Sequence, residues 1–152
     1  MPTNPKEYYP PMHSAEHILN QTMVRMFGTE RSFSNHIERK KSKCDYHFDR
    51  DLTELEKIEL QDRINKVIDS NLQVSESLIS KTEAENSFNL DRLPDNSGDK
   101  IRIIKIGEYD SCLCSGIHVE NTKEIGNVRI ISSTFENGVL RIRFKLHNNS
   151  SI

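Results

Sequence analysis

Long apolar runs are absent from this sequence, and cysteine is scarce. No segment approaches the roughly 20 apolar residues that a membrane-spanning helix needs. The opening segment MPTNPKEYYPPM has no apolar core of the kind found in secretory signals, so the sequence predicts a cytoplasmic protein without a membrane partner. Its 3 cysteines are an odd number. That number argues against a disulfide framework and favours thiols that bind metal or stay buried in a reducing compartment.

Neither sign of charge dominates. The 21 Lys and Arg residues against 23 Asp and Glu residues give a net charge of -2, which excludes a generic polycation but leaves room for local basic patches that bind RNA. With 152 residues and no internal repeat, the chain is expected to form a single domain. We expect this domain to span 1-152, with 1-12 as an N-terminal extension and 147-152 as a flexible tail.

Two helices are predicted from local patterns. Apolar residues at i, i+3 and i+4 indicate a helix over residues 13–27 that stops at Gly28. Thr53 followed by Glu56 three residues later forms a capping box, which begins a second helix that runs to about Asn71.

The remaining pattern is mainly that of strands. Alternation around Cys44 indicates one strand, and Asn137-Gly138 predicts a tight hairpin. This order predicts an α+β fold, with an antiparallel sheet packed against helices. The predicted strands are 44–48, 75–80, 101–106, 127–136 and 139–146, with a loop between 81 and 100.

Two short motifs carry the chemistry. "HSAEH" places His13 and His17 four residues apart on one helical face, roughly opposite the apolar stripe, where we expect a cleft. "CLCSGIHVENTKEIG" at 112–126 contains a Cys-x-x-x-His pair. Each motif alone is as easily explained by packing or surface chance. Together, two imidazoles and a thiolate–imidazole pair have the softness and number of ligands that zinc takes.

The choice of cysteine rests on spacing. Cys114 lies four residues before His118, as His13 lies before His17, so we predict that Cys114 is the thiolate ligand. Cys112 and Cys44 are predicted to be packed thiols.

"HSAEH", "DLTELEKIELQDRINKVIDSNLQV" and "CSGIHVENTKEIG" together resemble the editing domain of alanyl-tRNA synthetases, and still more the free-standing AlaX proteins. Threonyl-tRNA synthetase has a related domain. The resemblance covers roughly 13–146. It implies an α+β fold in which an antiparallel sheet is wrapped around a zinc-bearing helix, with Zn2+ as cofactor and mischarged tRNA as partner. The ligands that it implies are His13, His17, Cys114 and His118.

The resemblance also implies an activity, the hydrolysis of the ester that joins Ser, and often Gly, to tRNA for alanine. Such a second site is needed because a pocket for a small side chain cannot strongly reject a similar one by binding alone. A non-catalytic, zinc-stabilised module that binds tRNA or protein is the alternative. A zinc hydrolase for another small ester or amide is a weaker one.

The sequence departs from the family next to the implied substrate. Glu16 stands where the family has Thr, and Ser115-Gly116-Ile117 stands where it has Gly-Gly-Thr. The family's Gln corresponds to Asn35 or its neighbour His36. The substrate is therefore expected to contact Asn35, Ser115, Gly116 and Ile117. We predict that Glu16 holds the substrate ammonium or acts as a base; the alternative is a solvated helix residue.

A basic run is the candidate tRNA contact, because phosphate contacts position a nucleic acid without specifying its sequence. The alternative is a solvated charged face. The run consists of Arg39, Lys40, Lys41 and Lys43, to which Arg129, Arg141 and Arg143 can add.

Overall fold

The computed structural model describes residues 10–80, 82, 100–113 and 118–147. Within these ranges the chain forms two α-helices, seven strands and one 3-10 turn. In chain order they are α1 (Pro10–Phe27), β1 (Ser34–His36), β2 (Ser42–His47), α2 (Glu54–Asp69), β3 (Val74–Ser80), β4 (Lys100–Ile106), β5 (Asp110–Leu113), the turn Thr122–Ile125, β6 (Asn127–Glu136) and β7 (Val139–His147).

The strands form two antiparallel sheets. One has the order β1-β2-β7-β6 and the other β3-β4-β5. The α+β class predicted from the sequence is confirmed. The expectation of one sheet is corrected to two, because alternation identifies strands but not their partners. The tail 148–152 and most of the predicted loop lie outside the described residues.

Helix α1 begins at Pro10, three residues before the predicted start. Proline is tolerated in a first turn, because the N–H groups there have no acceptor within the helix. The helix ends before Gly28, whose positive φ of 69° suits a residue without a Cβ. None of the described helices is long and apolar enough to cross a membrane.

Helix α2 begins with the predicted capping box. The Thr53 hydroxyl accepts the Glu56 N–H at 3.1 Å, and Glu56 accepts the Thr53 N–H at 2.8 Å. Arg50 also donates to both carboxylate oxygens of Glu56. The hydrogen bonds from Arg50, followed by that from the Thr53 backbone, lower the pKa of Glu56 to about 2.

Replacing Glu56 with Gln is expected to lower the free energy of unfolding by up to about 1 kcal/mol at neutral pH, because Arg50 loses its charged partner, whereas the Gln amide oxygen can still accept the Thr53 N–H. A carboxyl whose folded-state pKa is depressed contributes stability above its ordinary value of 4.5, and this contribution is lost as the pH falls towards about 2. The free energies of unfolding of the wild type and the variant, measured by urea titration, should therefore converge as the pH falls from 4.5 towards about 2. A difference in the free energy of unfolding that stays constant down to about pH 2 would contradict this explanation.

The core lies between the helices and one face of the four-stranded sheet. On β7, Leu140, Ile142 and Phe144 are fully buried and pack in one cluster with Ile18 of α1 and Ile64 of α2. The alternate residues of β7 therefore lie on the outer face of this sheet.

The hairpin between β6 and β7 is the one that the sequence predicts. Asn137 and Gly138 both have positive φ, at 52° and 79°, as a two-residue turn of this hand requires.

Candidate metal centre

The first half of α1 is buried on all sides. His13 is 1% exposed and His17 6% exposed. The expectation that the histidine face opens into a cleft is therefore wrong for these two rings, since β5 and the segment that carries His118 pack over them. The short strand β5, which the sequence pattern did not predict, is the element that leads towards His118.

Three imidazoles converge in this buried region. The ring centroid of His118 lies 4.3 Å from that of His13 and 4.7 Å from that of His17, and the two helix histidines are 5.0 Å apart. Their ligand nitrogens all lie within 4.8 Å of one another. This donor set fits a transition metal such as zinc, which takes several imidazole nitrogens at short range. Cys114, Ser115, Gly116 and Ile117 lie outside the described residues.

His118 is positioned by a buried hydroxyl. Ser14 Oγ lies 3.3 Å from His118 Nδ1 and accepts the N–H of Val119 at 3.1 Å. When a histidine binds metal through Nε2, its Nδ1 carries the ring proton, and here that proton can be donated to Ser14. Sequence reasoning missed this role, because Ser14 and His118 are separated by 104 positions and share no local pattern.

His17 Nδ1 has two neighbours that differ in their ability to accept a hydrogen bond. Cys112 Sγ lies 3.0 Å away and Arg31 Nη2 lies 3.2 Å away. A guanidinium can only donate, so of these two groups only the sulfur can accept a proton from Nδ1. Cys112 is buried, as the sequence predicts, and it also contacts His17, which the prediction of a packed thiol did not include.

Arg31 is held by a buried carboxylate. It makes hydrogen bonds of 2.9 and 3.1 Å to the two oxygens of Asp110. Burial lowers the pKa of Arg31, but the interactions with its neighbours, led by the charge of Asp110, together outweigh burial and the net shift is upward. His17, Asp110 and Cys112 also have the spacing of a metal site. Because the guanidinium already neutralises Asp110, the group of three histidines is the better candidate.

Replacing Cys112 with alanine is expected to weaken zinc binding about 10- to 100-fold, since outer contacts of this kind orient the ligand ring. Competition with a chromophoric chelator measures the affinity. The matched control is Cys44→Ala, because Cys44 is the other buried free thiol among the described residues. Equal affinities in the two variants would show that Cys112 does not orient His17.

Glu16 lies beside the histidines and is 4% exposed, so it is not a solvated helix residue. One carboxylate oxygen lies 3.8 Å from His13 Nε2. The other accepts a short hydrogen bond from Asn35 Nδ2, which also donates to Ser32 Oγ at 2.9 Å. Asn35 is therefore the residue that reaches this region. His36, the other candidate, is 59% exposed and pairs with Glu38.

The basic run lies in and beside the connection between β1 and β2. Lys40 and Lys41 line a surface depression together with Arg129 and Lys145, two residues on paired strands. Arg141 instead donates to both oxygens of Asp45, at 2.8 and 2.9 Å, and these contacts raise the pKa of Arg141. Its charge is already neutralised within the protein.

Comparison with known proteins shows which sequences this chain resembles. Residues 101–143 match the family described as "Threonyl and Alanyl tRNA synthetase second additional domain". The chain is 30% identical over 132 residues to alanine–tRNA ligase of Fervidobacterium nodosum, and this match covers 86% of the chain and 15% of the ligase. It is 30% identical over 123 residues to the ligase of Ligilactobacillus salivarius, covering 80% of the chain and 14% of that ligase. The chloroplastic/mitochondrial ligase of Oryza sativa subsp. indica is 26% identical over 132 residues. This match covers 86% of the chain and 13% of that ligase.

The matched segment is thus similar to the second additional domain of threonyl- and alanyl-tRNA synthetases. Within that class, this chain is an AlaX-like domain related to alanyl-tRNA synthetase. It spans 13 to 15% of the length of the ligases just compared.

Proposed function

We propose that this protein is a zinc-dependent hydrolase that acts in trans on mischarged tRNA and removes serine or glycine from tRNA for alanine. The observation that carries the proposal is the convergence of His118 with His13 and His17, two residues of a distant helix, inside an AlaX-like domain. Histidines without a shared function would not be expected to be buried side by side. Ligands of one metal ion must lie close together.

In this proposal the three histidines and Cys114 hold Zn2+. Four protein ligands are typical of a structural site, and a site takes part in catalysis only when a substrate group or water also gains access to the ion. When bound, zinc would supply a Lewis acid that polarises an ester carbonyl or activates water. Ser14 and Cys112 keep the His118 and His17 rings in orientation through their Nδ1 atoms.

Glu16 supplies the negative charge beside the centre. Asn35 fixes one carboxylate oxygen, and the other oxygen lies on the side of His13. A carboxylate in this position can hold the ammonium of an aminoacyl ester or accept a proton from water. Together with Asn35, the segment Ser115-Gly116-Ile117 would contact the amino acid. Because isoleucine cannot hydrogen-bond to a serine side chain, Ile117 is a determinant of which amino acid is accepted.

The second candidate is a zinc-stabilised module that binds tRNA or a protein without catalysis. The replacement of the family's Thr by Glu16 and of its last Thr by Ile117 favours this candidate, because the resemblance implies that both positions contact the substrate. The metal ligands alone do not separate the two functions, since both require zinc.

The test is a deacylation panel of Ser, Gly and Ala on tRNA for alanine and Ser on tRNA for threonine. Selective release of one amino acid that is abolished in Cys114→Ala and strongly reduced in Glu16→Gln would support the hydrolase. If the folded, zinc-loaded protein releases none of them, the hydrolase proposal for these substrates fails and the binding module becomes the better account.

A further inference from the structure

The outer face of the four-stranded sheet carries a cluster of cations. Antiparallel register places Lys43 opposite Arg143, and Arg129 opposite Lys145. The alternate side chains of β7, Ile142 and Phe144, point into the core, so Arg143 and Lys145 lie on the solvent side. The strand pairing thus joins basic residues that are far apart in the sequence.

The connection between β1 and β2 extends this cluster. Lys40 and Lys41 approach Arg129 and Lys145, and together they line a surface depression of about 460 Å³. The depression lies where β6 is irregular, between Ile130 and Ser132. We call Lys40, Lys41, Lys43, Arg129, Arg143 and Lys145 the basic face.

The cations of the basic face differ from Arg141 in their ion pairing. Among the residues that the structure describes, none of these cations forms an ion pair, whereas Arg141 on the same face is paired with Asp45. The whole chain has a net charge of -2. The basic face is therefore a local concentration of positive charge and not a consequence of a basic composition.

We propose that the basic face binds the phosphate backbone of RNA and, resting on the proposed function for the choice of RNA, docks the tRNA substrate. Exposed Lys and Arg side chains match closely spaced phosphates and gain free energy by releasing counterions. The depression offers isoleucine and no aromatic ring on which a base could stack. The contacts are therefore with the backbone, and they position the RNA without reading its sequence.

The experiment measures binding of fluorescently labelled, uncharged tRNA to the full chain between about 50 and 200 mM salt. The variant is Arg129→Gln with Lys145→Gln. Its matched control is Lys105→Gln with Lys123→Gln, which removes the same charge from two exposed residues outside the basic face. We expect the basic-face variant to bind at least about 10-fold more weakly near 100 mM salt and to lower the salt slope by roughly 2. The control should remain near the wild type.

Three results would overturn the proposal. They are the absence of tRNA binding by the wild type, equal binding by the basic-face variant, and competition by polyglutamate as effective as competition by RNA at equal charge. The last result would assign the face to an acidic protein partner.

Hydrolysis of a seryl ester of adenosine separates this proposal from the proposed function, because so small a substrate can use the metal centre without the basic face. Loss of tRNA affinity in the variant, with no ester hydrolysis by any protein, would support the basic face while the hydrolase proposal fails. Unchanged hydrolysis of the small ester, with a raised KM for mischarged tRNA, would support both.

Discussion

Replacement of His118 with alanine is expected to remove bound zinc and, with it, deacylation. Loss of a contact that merely orients a ligand costs about 10- to 100-fold in metal affinity, so loss of a ligand should exceed about 100-fold. His118 is the member of the cluster that joins the segment after β5 to helix α1. Metal content of the purified protein and release of serine from tRNA for alanine measure the two effects.

The matched control for His118 is His36→Ala, because His36 is an exposed histidine outside the cluster. Circular dichroism of both variants separates loss of metal from loss of fold. If the His118 variant retains a full equivalent of zinc with unchanged affinity, the histidine cluster is not the metal centre. If it loses zinc but keeps its turnover, the metal has no part in catalysis.

Replacement of Arg31 with alanine is expected to lower the free energy of unfolding by about 3 kcal/mol. The change leaves the carboxylate of Asp110, which is 4% exposed, without its charged partner. Breaking a buried pair on one side costs about 3–5 kcal/mol, and the 30% exposure of the Arg31 side chain places the value at the lower end. Urea unfolding of the zinc-loaded protein measures the difference.

Two further variants test the explanation of the Arg31 effect. Arg63→Ala removes an exposed partner of Glu59 and should cost less than about 0.5 kcal/mol. The double variant Arg31→Met with Asp110→Leu should recover most of the lost stability, because no charge is then left buried. A double variant no more stable than Arg31→Ala would show that the cost arises from lost packing.

Some expectations from the sequence concern contacts that are local. The capping box at Thr53 and Glu56 joins residues three positions apart, and the hairpin at Asn137-Gly138 requires only its own two residues. The pairing of His13 with His17 on one helical face follows from the helix repeat in the same way. Such features were predictable because their energetics are decided within one or two turns of chain.

The role of Cys112 was not predictable from the sequence. It depends on a contact with His17 across 95 positions, and no spacing rule distinguishes this thiol from the equally buried Cys44. The burial of Glu16 is a similar case, since its helical position alone is compatible with solvent exposure. Asn35 could be distinguished from His36 only once β1 was paired with β2 and one of the two side chains reached Glu16.

The sequence by itself therefore determined the helices, most of the strands and the residue types of the candidate metal centre, because periodicity and turn chemistry act over short distances. Tertiary structure decided which of these residues meet. The strand register places Arg141 opposite Asp45, which neutralises its charge. The same register brings Arg129, Arg143 and Lys145 together on the solvent side of the sheet. A shift of one residue would move each of these side chains to the opposite face of the sheet, so only the assembled sheet fixes their environment.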